Sequence, residues 1–352
     1  MSGPIEHVVL IIKENHTFDN YFGTYPNPGG HARGDLPKFT NPWPGVIDLK
    51  NNHAAWMKRH KPSPLPRDHQ FTGAHIPAYF SYADQFTLCD EFFAEITGAS
   101  KPNHVMLMAG ETPFLDAHAG APVPGQPFAL PSLPQALDAA GQGYTWGFYG
   151  SSYTDLIQYL VNNPQSVHLT TQFEVDVRAQ NLPTVSYLMS THELSEHQCG
   201  TWDQPASQRQ PGVIGDVKKG SNWTADQVNL LVQNGYWNNT VIFITWDDWG
   251  GWYDSVDPLP VKETWAGPLF NPGFLGDPFR YGSRVGCLVL SPYAKHGYIS
   301  HTLHSHVSLL KFCIDTFGLN ASTWNQRVQN ADGMADCFEF NTAAKGPPTY
   351  IP

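Results

Sequence analysis

The sequence predicts an α/β protein with a mostly parallel central sheet flanked by helices. Three observations carry this. Short β-branched apolar runs recur from one end of the chain to the other, and amphipathic stretches of helical length separate them. Two of the runs, VVLIIK at 8–13 and VIFITW at 241–246, then end abruptly in pairs of oxygen-bearing side chains, Glu14 with Asn15 and Asp247 with Asp248. In open α/β sheets ligands gather beyond the carboxyl ends of strands, so both pairs sit where a site is expected.

Taken in order, the predicted strands are Val8–Ile12, Tyr144–Tyr149, Val185–Met189, Val241–Thr245 and Val285–Leu290. The predicted helices are Ala78–Phe93, Pro102–Ala109, Pro131–Ala140, Ala225–Asn234 and Val307–Phe317. The last has Ser305 as a cap and Gly318 as its stop, the expected punctuation at the two ends. Long connections at 26–69, 191–221 and 250–283 are rich in Pro, Gly, His and Trp, and connections of this length in a compact fold are usually functional. The strands run from end to end of the 352 residues and no repeat is visible, so residues 1–352 read as one domain with loop insertions.

Composition narrows the function. With 31 acidic against 20 basic residues the net charge is -11, and no Lys/Arg block occurs, which argues against nucleic acid as a partner. The five cysteines form no CxxC pair and are odd in number, so neither a thiolate zinc site nor a disulfide scaffold is signalled, and they read as buried small hydrophobes. No run reaches the roughly 18 apolar residues of a membrane span, and MSGPIEHVVL has neither a basic leader nor a cleavage signal.

Three groups of residues have chemistry to offer. If the two strand ends are neighbours, Glu14, Asn15, Asp247 and Asp248 converge as four hard oxygen ligands for one divalent cation; the alternative is a set of turn residues and solvated carboxylates. Ser100 lies two residues before Pro102 at a helix start, either an ordinary N-cap or a nucleophile beside free backbone NH groups. Loop histidines, among them His69, His192, His197, His301, His304 and His306, are able to contact a phosphoryl oxygen or protonate a leaving alcohol. The HTLHSH cluster is also a candidate metal site in its own right.

The segment ENHTFDNYFGTYP at 14–26 resembles the opening signature of a bacterial phosphoesterase family of phospholipases C and acid phosphatases, in the alkaline-phosphatase-like superfamily. FTLCDEFFAEITGASKPNH (86–104), LPQALDAAGQGYTWGFY (133–149), SEH (195–197), WNNTVIFITWDDWGGWYDSVDP (237–258) and RVGCLVLSPYAKHGYISHTLHSHVSLLKF (284–312) continue the resemblance in order. It implies a three-layer fold, with Glu14, Asn15, Asp247 and Asp248 as metal ligands and Ser100 as a nucleophile forming a phosphoryl-enzyme. It further implies that His197 contacts the phosphoryl group and serves as candidate acid, that Asn15 and His69 belong to the phosphate site, and that His306 is a motif histidine beside substrate.

The expected cofactor is one divalent cation (Ca, Mg, Mn or Zn). The expected partner is a small-molecule or phospholipid phosphate ester, with transient membrane-surface contact if the substrate is a lipid. Family members are frequently exported, which implies a periplasmic or secreted location. Four positions depart from the family pattern: His104 where Arg is common, Gly250 where an acid is common, Ser255 for a histidine and Ser305 for Asp. A binding relative without turnover is therefore the alternative. The aromatic loop residues Trp246, Trp249, Trp252, Tyr253 and Trp265 are candidates for caging a choline-like cation, the alternative being aromatic packing under a long loop.

Overall fold

The structure is a computed structural model and describes residues 4–26, 49–61, 67–115, 127–197, 217–258, 260–264, 278–350 and 352. Trp265 and Cys199, and parts of all three long connections, lie outside the described residues.

Twelve strands are present among the described residues: β1 (His7–Lys13), β2 (Thr87–Cys89), β3 (Phe92–Phe93), β4 (Trp146–Tyr149), β5 (Val167–His168), β6 (Val185–Met189), β7 (Thr240–Trp246), β8 (Pro260–Thr264), β9 (Pro278–Arg280), β10 (Cys287–Leu290), β11 (Tyr298–Ser300) and β12 (His304–Ser305). The α-helices are α1 (Phe18–Phe22), α2 (His53–Trp56), α3 (Pro77–Gln85), α4 (Ser100–Ala109), α5 (Leu133–Ala139), α6 (Gln158–Asn162), α7 (Gln172–Arg178), α8 (Val217–Gln233), α9 (His306–Thr316) and α10 (Gln326–Asn330).

Eight strands form one sheet in the order β11-β2-β10-β7-β1-β6-β4-β5. Every pairing in it is parallel except those of β10, which runs against both β2 and β7. The mostly parallel sheet expected from sequence is thus present, and its five anticipated strands include the central ones. β1 and β7 lie side by side with Lys13 opposite Trp246. That register is what makes the next residues, Glu14 and Asp247, neighbours.

Helices cover both faces. Strand side chains alternate, so Phe243 and Trp246 of β7 point to opposite sides. Phe243 meets Phe312 of α9 at 5.1 Å, whereas Trp246 meets Tyr79 of α3 at 5.3 Å. The core strands are almost wholly enclosed, with Val8 to Ile12 and Val241 to Ile244 at 3 % exposure or less. Each such aliphatic side chain contributes about 1.5–3 kcal/mol through burial, which is why these two runs anchor the sheet.

The predicted helix Ala78–Phe93 is corrected: α3 ends at Gln85, and the rest of the stretch forms β2 and β3. Thr87 to Cys89 gain ladder partners on both sides, β10 and β11, and this pairing outweighs a continuous helical apolar pattern. α9 begins as expected, with Ser305 as N-cap in a capping box with Ser308.

Candidate active site

The site is built at the carboxyl ends of β1 and β7. Asn15 follows β1 in the left-handed region, φ 62°, a conformation that Asn tolerates better than most residues. This turn lets the Asn15 backbone NH donate to Asp247 Oδ1 at 3.0 Å, clamping one strand end to the other. Asp248 and Gly250 continue the turn, their NH groups donating to Asp247 Oδ1 and Asp248 Oδ1, both at 2.7 Å. Gly250 itself has φ 61°, so the glycine that replaces the common acidic residue fits a backbone which a side chain would strain.

Ser100 is the first residue of α4, not its cap. The N-cap is Ala99, which has no side-chain cap hydrogen bond, and the Ser100 hydroxyl donates instead to Asp248 Oδ2 at 2.9 Å. An ordinary N-cap would aim its oxygen back at helix NH groups; this hydroxyl is directed at the strand-end carboxylate, with the positive end of a ten-residue helix behind it. The carboxamide of Asn15 completes the link: oriented to satisfy its neighbours, its oxygen lies 2.7 Å from His197 Nε2 and its nitrogen lies 2.9 Å from Asp247 Oδ1, 3.3 Å from Asp248 Oδ2 and 3.2 Å from Ser100 Oγ. Ser100, Asn15, His197 and both aspartates are therefore one hydrogen-bonded unit.

His104, on the next turn of α4, was singled out in the sequence only as a departure. Its Nε2 lies 3.4 Å from Asp247 Oδ2 and 4.0 Å from Glu14 Oε1, and its ring stacks on Tyr153 at 3.9 Å. Tyr153 donates to Glu14 Oε1 at 3.1 Å, and Asn51 donates to both oxygens of Asp248 at 3.2 and 3.1 Å. Neither Tyr153 nor Asn51 was legible in advance, because both reach the site from loops remote in sequence.

The residues fit a divalent cation. Ligand atoms of Glu14, His104 and Asp247 all lie within 4.8 Å of one another. Asp247 Oδ2 and His104 Nε2 are buried and make no hydrogen bond. Burial, then repulsion from Asp247, pushes both Glu14 and Asp248 well above the usual carboxylate range. Asp247 is held low, the contact with His104 overcoming the opposing effect of burial. Crowded, dehydrated carboxylates of this kind are relieved by a bound dication. Relative to the expected all-oxygen set, the structure puts an imidazole in the convergent group and places Asp248 on the Ser100 side.

The other predicted histidines divide. His197 is 8 % exposed and positioned by its neighbour Glu196, a fully buried carboxylate held by Lys13 at 3.2 Å, Tyr21 at 2.7 Å and Tyr79 at 2.6 Å. His69 pairs with Asp68 at 3.3 Å, and its carbonyl accepts from Asn20. Asn20 Oδ1 lies 2.6 Å from His16, whose other nitrogen lies 2.9 Å from the Glu196 carbonyl. His306 is fully buried, with Nε2 2.8 Å from the Trp246 carbonyl, the backbone position just before Asp247.

Three members of the expected aromatic cage are corrected: Trp246, Trp249 and Trp252 are 2 % exposed or less, and Trp249 Nε1 donates to the Asn51 carbonyl, while Tyr253 is half-buried. These indoles fill space under the loop and present no open face to a ligand.

A parallel-sheet protein with a helix-start hydroxyl facing a carboxylate and imidazole cluster belongs to the class whose sites are equipped to handle a charged ester. The Phosphoesterase family model matches residues 5–61 and 48–320, and the chain belongs to that family. Phospholipase C B of Mycobacterium tuberculosis is 27% identical over 96% of this chain and 78% of its own length. Non-hemolytic phospholipase C of Pseudomonas aeruginosa is 25% identical, covering 99% of this chain and 59% of its own. A solved structure from work on glycosaminoglycan metabolism by Bacteroides thetaiotaomicron superimposes with a TM-score of 0.51 at 12% identity, over 97% of this chain and 78% of that one, a likeness of fold.

Proposed function

We propose that this chain hydrolyses phosphate esters of the phospholipase C type, cleaving a phosphodiester through a covalent intermediate on Ser100. The observation that carries the reading is the Ser100 hydroxyl, donated to Asp248 Oδ2 at 2.9 Å at the start of α4. Its placement beside the Glu14, His104 and Asp247 cluster is support for phosphoryl chemistry in particular.

A divalent cation bound by Glu14, His104 and Asp247, with Asn15 and Asp248 adjoining, would supply positive charge and Lewis acidity to the site. The chain's own groups do the rest. Asp248 accepts the Ser100 proton as the Ser100 oxygen attacks phosphorus and the P–O bond to the leaving alcohol breaks. His197, oriented by its contact to Asn15, delivers a proton to that alcohol. Water then attacks the phosphoserine, releasing the phosphorylated product and restoring the Ser100 hydroxyl. The helix start and the NH groups around it favour the charge on the phosphoryl oxygens throughout.

One feature favours a diester. The relatives covering nearly the whole chain are named phospholipases C. Among the described residues no helix is long and apolar enough to cross a membrane. The retained Ser100 to Asp248 contact counts against a relative that binds without turnover.

The test is release of p-nitrophenol from p-nitrophenylphosphorylcholine and from p-nitrophenyl phosphate, by wild type and Ser100→Ala. Diester turnover that falls at least about 10³-fold in the variant, with a phosphorylated Ser100 peptide in acid-quenched wild type, is expected. A Ser100→Ala enzyme with near wild-type rate would exclude the covalent route, and exclusive monoester turnover would move the substrate to the phosphatase branch.

A further inference from the structure

A second group of metal-ligating side chains lies apart from the candidate active site, where the C-terminal segment meets the sheet. Cys89 at the end of β2, His304 in β12 and Cys337 near the C-terminus are all buried, with ligand atoms within 4.8 Å of one another. The two Sγ atoms are 3.7 Å apart, and Cys337 Sγ is 3.9 Å from His304 Nε2. Asp336 Oδ1 joins them, 3.1 Å from His304 Nε2 and 3.7 Å from Cys337 Sγ.

We propose that Cys89, Cys337 and His304 form the core of a structural zinc site, with Asp336 adjoining on the His304 and Cys337 side. The sulfur spacing suits a shared zinc ion: bonds of ~2.3 Å to sulfur imply an edge of ~3.8 Å between two thiolates, against 3.7 Å here. A disulfide requires the sulfurs at ~2.05 Å, and a simple hydrophobic pair of cysteines has no use for an imidazole and a carboxylate.

The surroundings are arranged as an outer shell. His304 Nδ1 lies 3.0 Å from Asp332 Oδ1, a carboxylate on the far side of the ring from Nε2, which faces Cys337, Asp336 and Ser300. Ser300 and Thr302 hydroxyls both donate to Asp336 Oδ2, leaving Oδ1 turned toward the cluster. His304 is fully buried, while Asp332 and Asp336 side chains are 43 % and 26 % exposed, which gives an entry path from solvent. Two soft thiolates with one imidazole select zinc over calcium or magnesium, in contrast to the oxygen-rich active site.

Such a site ties β2, β12 and the C-terminal turn to one point. The expected role is to hold the C-terminal segment against β2; His304 itself stands two residues before the buried His306, whose Nε2 meets the Trp246 carbonyl at the end of β7.

The experiment is metal analysis of the full chain purified without chelator under reducing conditions and dialysed with zinc, run on wild type, Cys337→Ser and the active-site variant Glu14→Gln/Asp247→Asn. Zinc of about one equivalent that survives in the active-site variant and falls below about 0.2 in Cys337→Ser is expected. Since Cys337→Ser is at risk of misfolding, wild type reconstituted with Co(II) provides a second readout: thiolate-to-cobalt charge-transfer absorption is expected. A Cys89–Cys337 disulfide-linked peptide under native conditions, zinc loss in the active-site variant instead, or cobalt binding without thiolate absorption would each overturn the assignment.

Discussion

His104 shows how a departure from a family pattern acquires a physical meaning. Its imidazole, 2 % exposed and stacked on Tyr153, stands between Glu14 and Asp247 where a longer guanidinium is common in the family. An imidazole is a metal ligand and an Arg is not, so His104→Ala is expected to weaken divalent-cation affinity of the active site at least about tenfold. Titration of the metal-stripped variant with Mn(II) or Zn(II) checks this; unchanged affinity would return the metal to oxygen ligands alone. Ser100 makes the companion case: the same serine reads as a cap in one dimension, and only its direction toward Asp248 separates the two roles.

The loop that carries His197 is held by an ion pair rather than by secondary structure. Lys13, the last residue of β1, and Glu196 are both fully buried at 3.2 Å, with Tyr21, Tyr79 and Trp246 also turned to the carboxylate. Removing one charge leaves the other unpaired in a dehydrated site, a loss of about 3–5 kcal/mol. Glu196→Gln is therefore expected to lower stability by that order in chemical denaturation. The double variant Lys13→Met with Glu196→Gln is expected to recover part of it, and additive losses would show that the two residues act independently. Since Glu196 adjoins His197, the same single variant should also disturb the approach of His197 to Asn15.

A second buried network joins distant parts of the chain. Arg284, leading into β10, meets Asp19 of α1 at 2.9 Å and Asp254 of the loop after β7 at 3.1 Å. Because β10 is antiparallel, its lead-in arrives at the same edge as the ends of β1 and β7. Burial, aided by Asp19 and opposed by Arg284, raises Asp254 to about 6 from 3.8. A carboxyl raised in the folded state favours the protonated native form. Its contribution is fully present below about pH 4 and is lost as pH rises through about 6, amounting to about 3 kcal/mol over that window. Asp254→Asn should flatten the pH dependence of unfolding free energy between 4 and 6; an unchanged slope would locate the titration elsewhere.

The apolar runs at Val8 and Val241, and the oxygen pairs that end them, were legible in the sequence, because continuous β-branched runs have few other uses than buried strands. So were Ser100 at a helix start and the capping role of Ser305. The strands β2, β3, β11 and β12 were not, since two or three residues carry no periodicity and take their form from partners far along the chain. The same reason hid the cysteine cluster: Cys89, His304 and Cys337 are scattered in sequence, and no local spacing announces them. Local propensity and burial pattern thus specify which elements form and where their chemistry-bearing ends lie. The direction of each side chain, the recruitment of His104, Tyr153 and Asn51, and the burial of Trp246, Trp249 and Trp252 follow from packing between segments remote along the chain, information that no window along the chain contains.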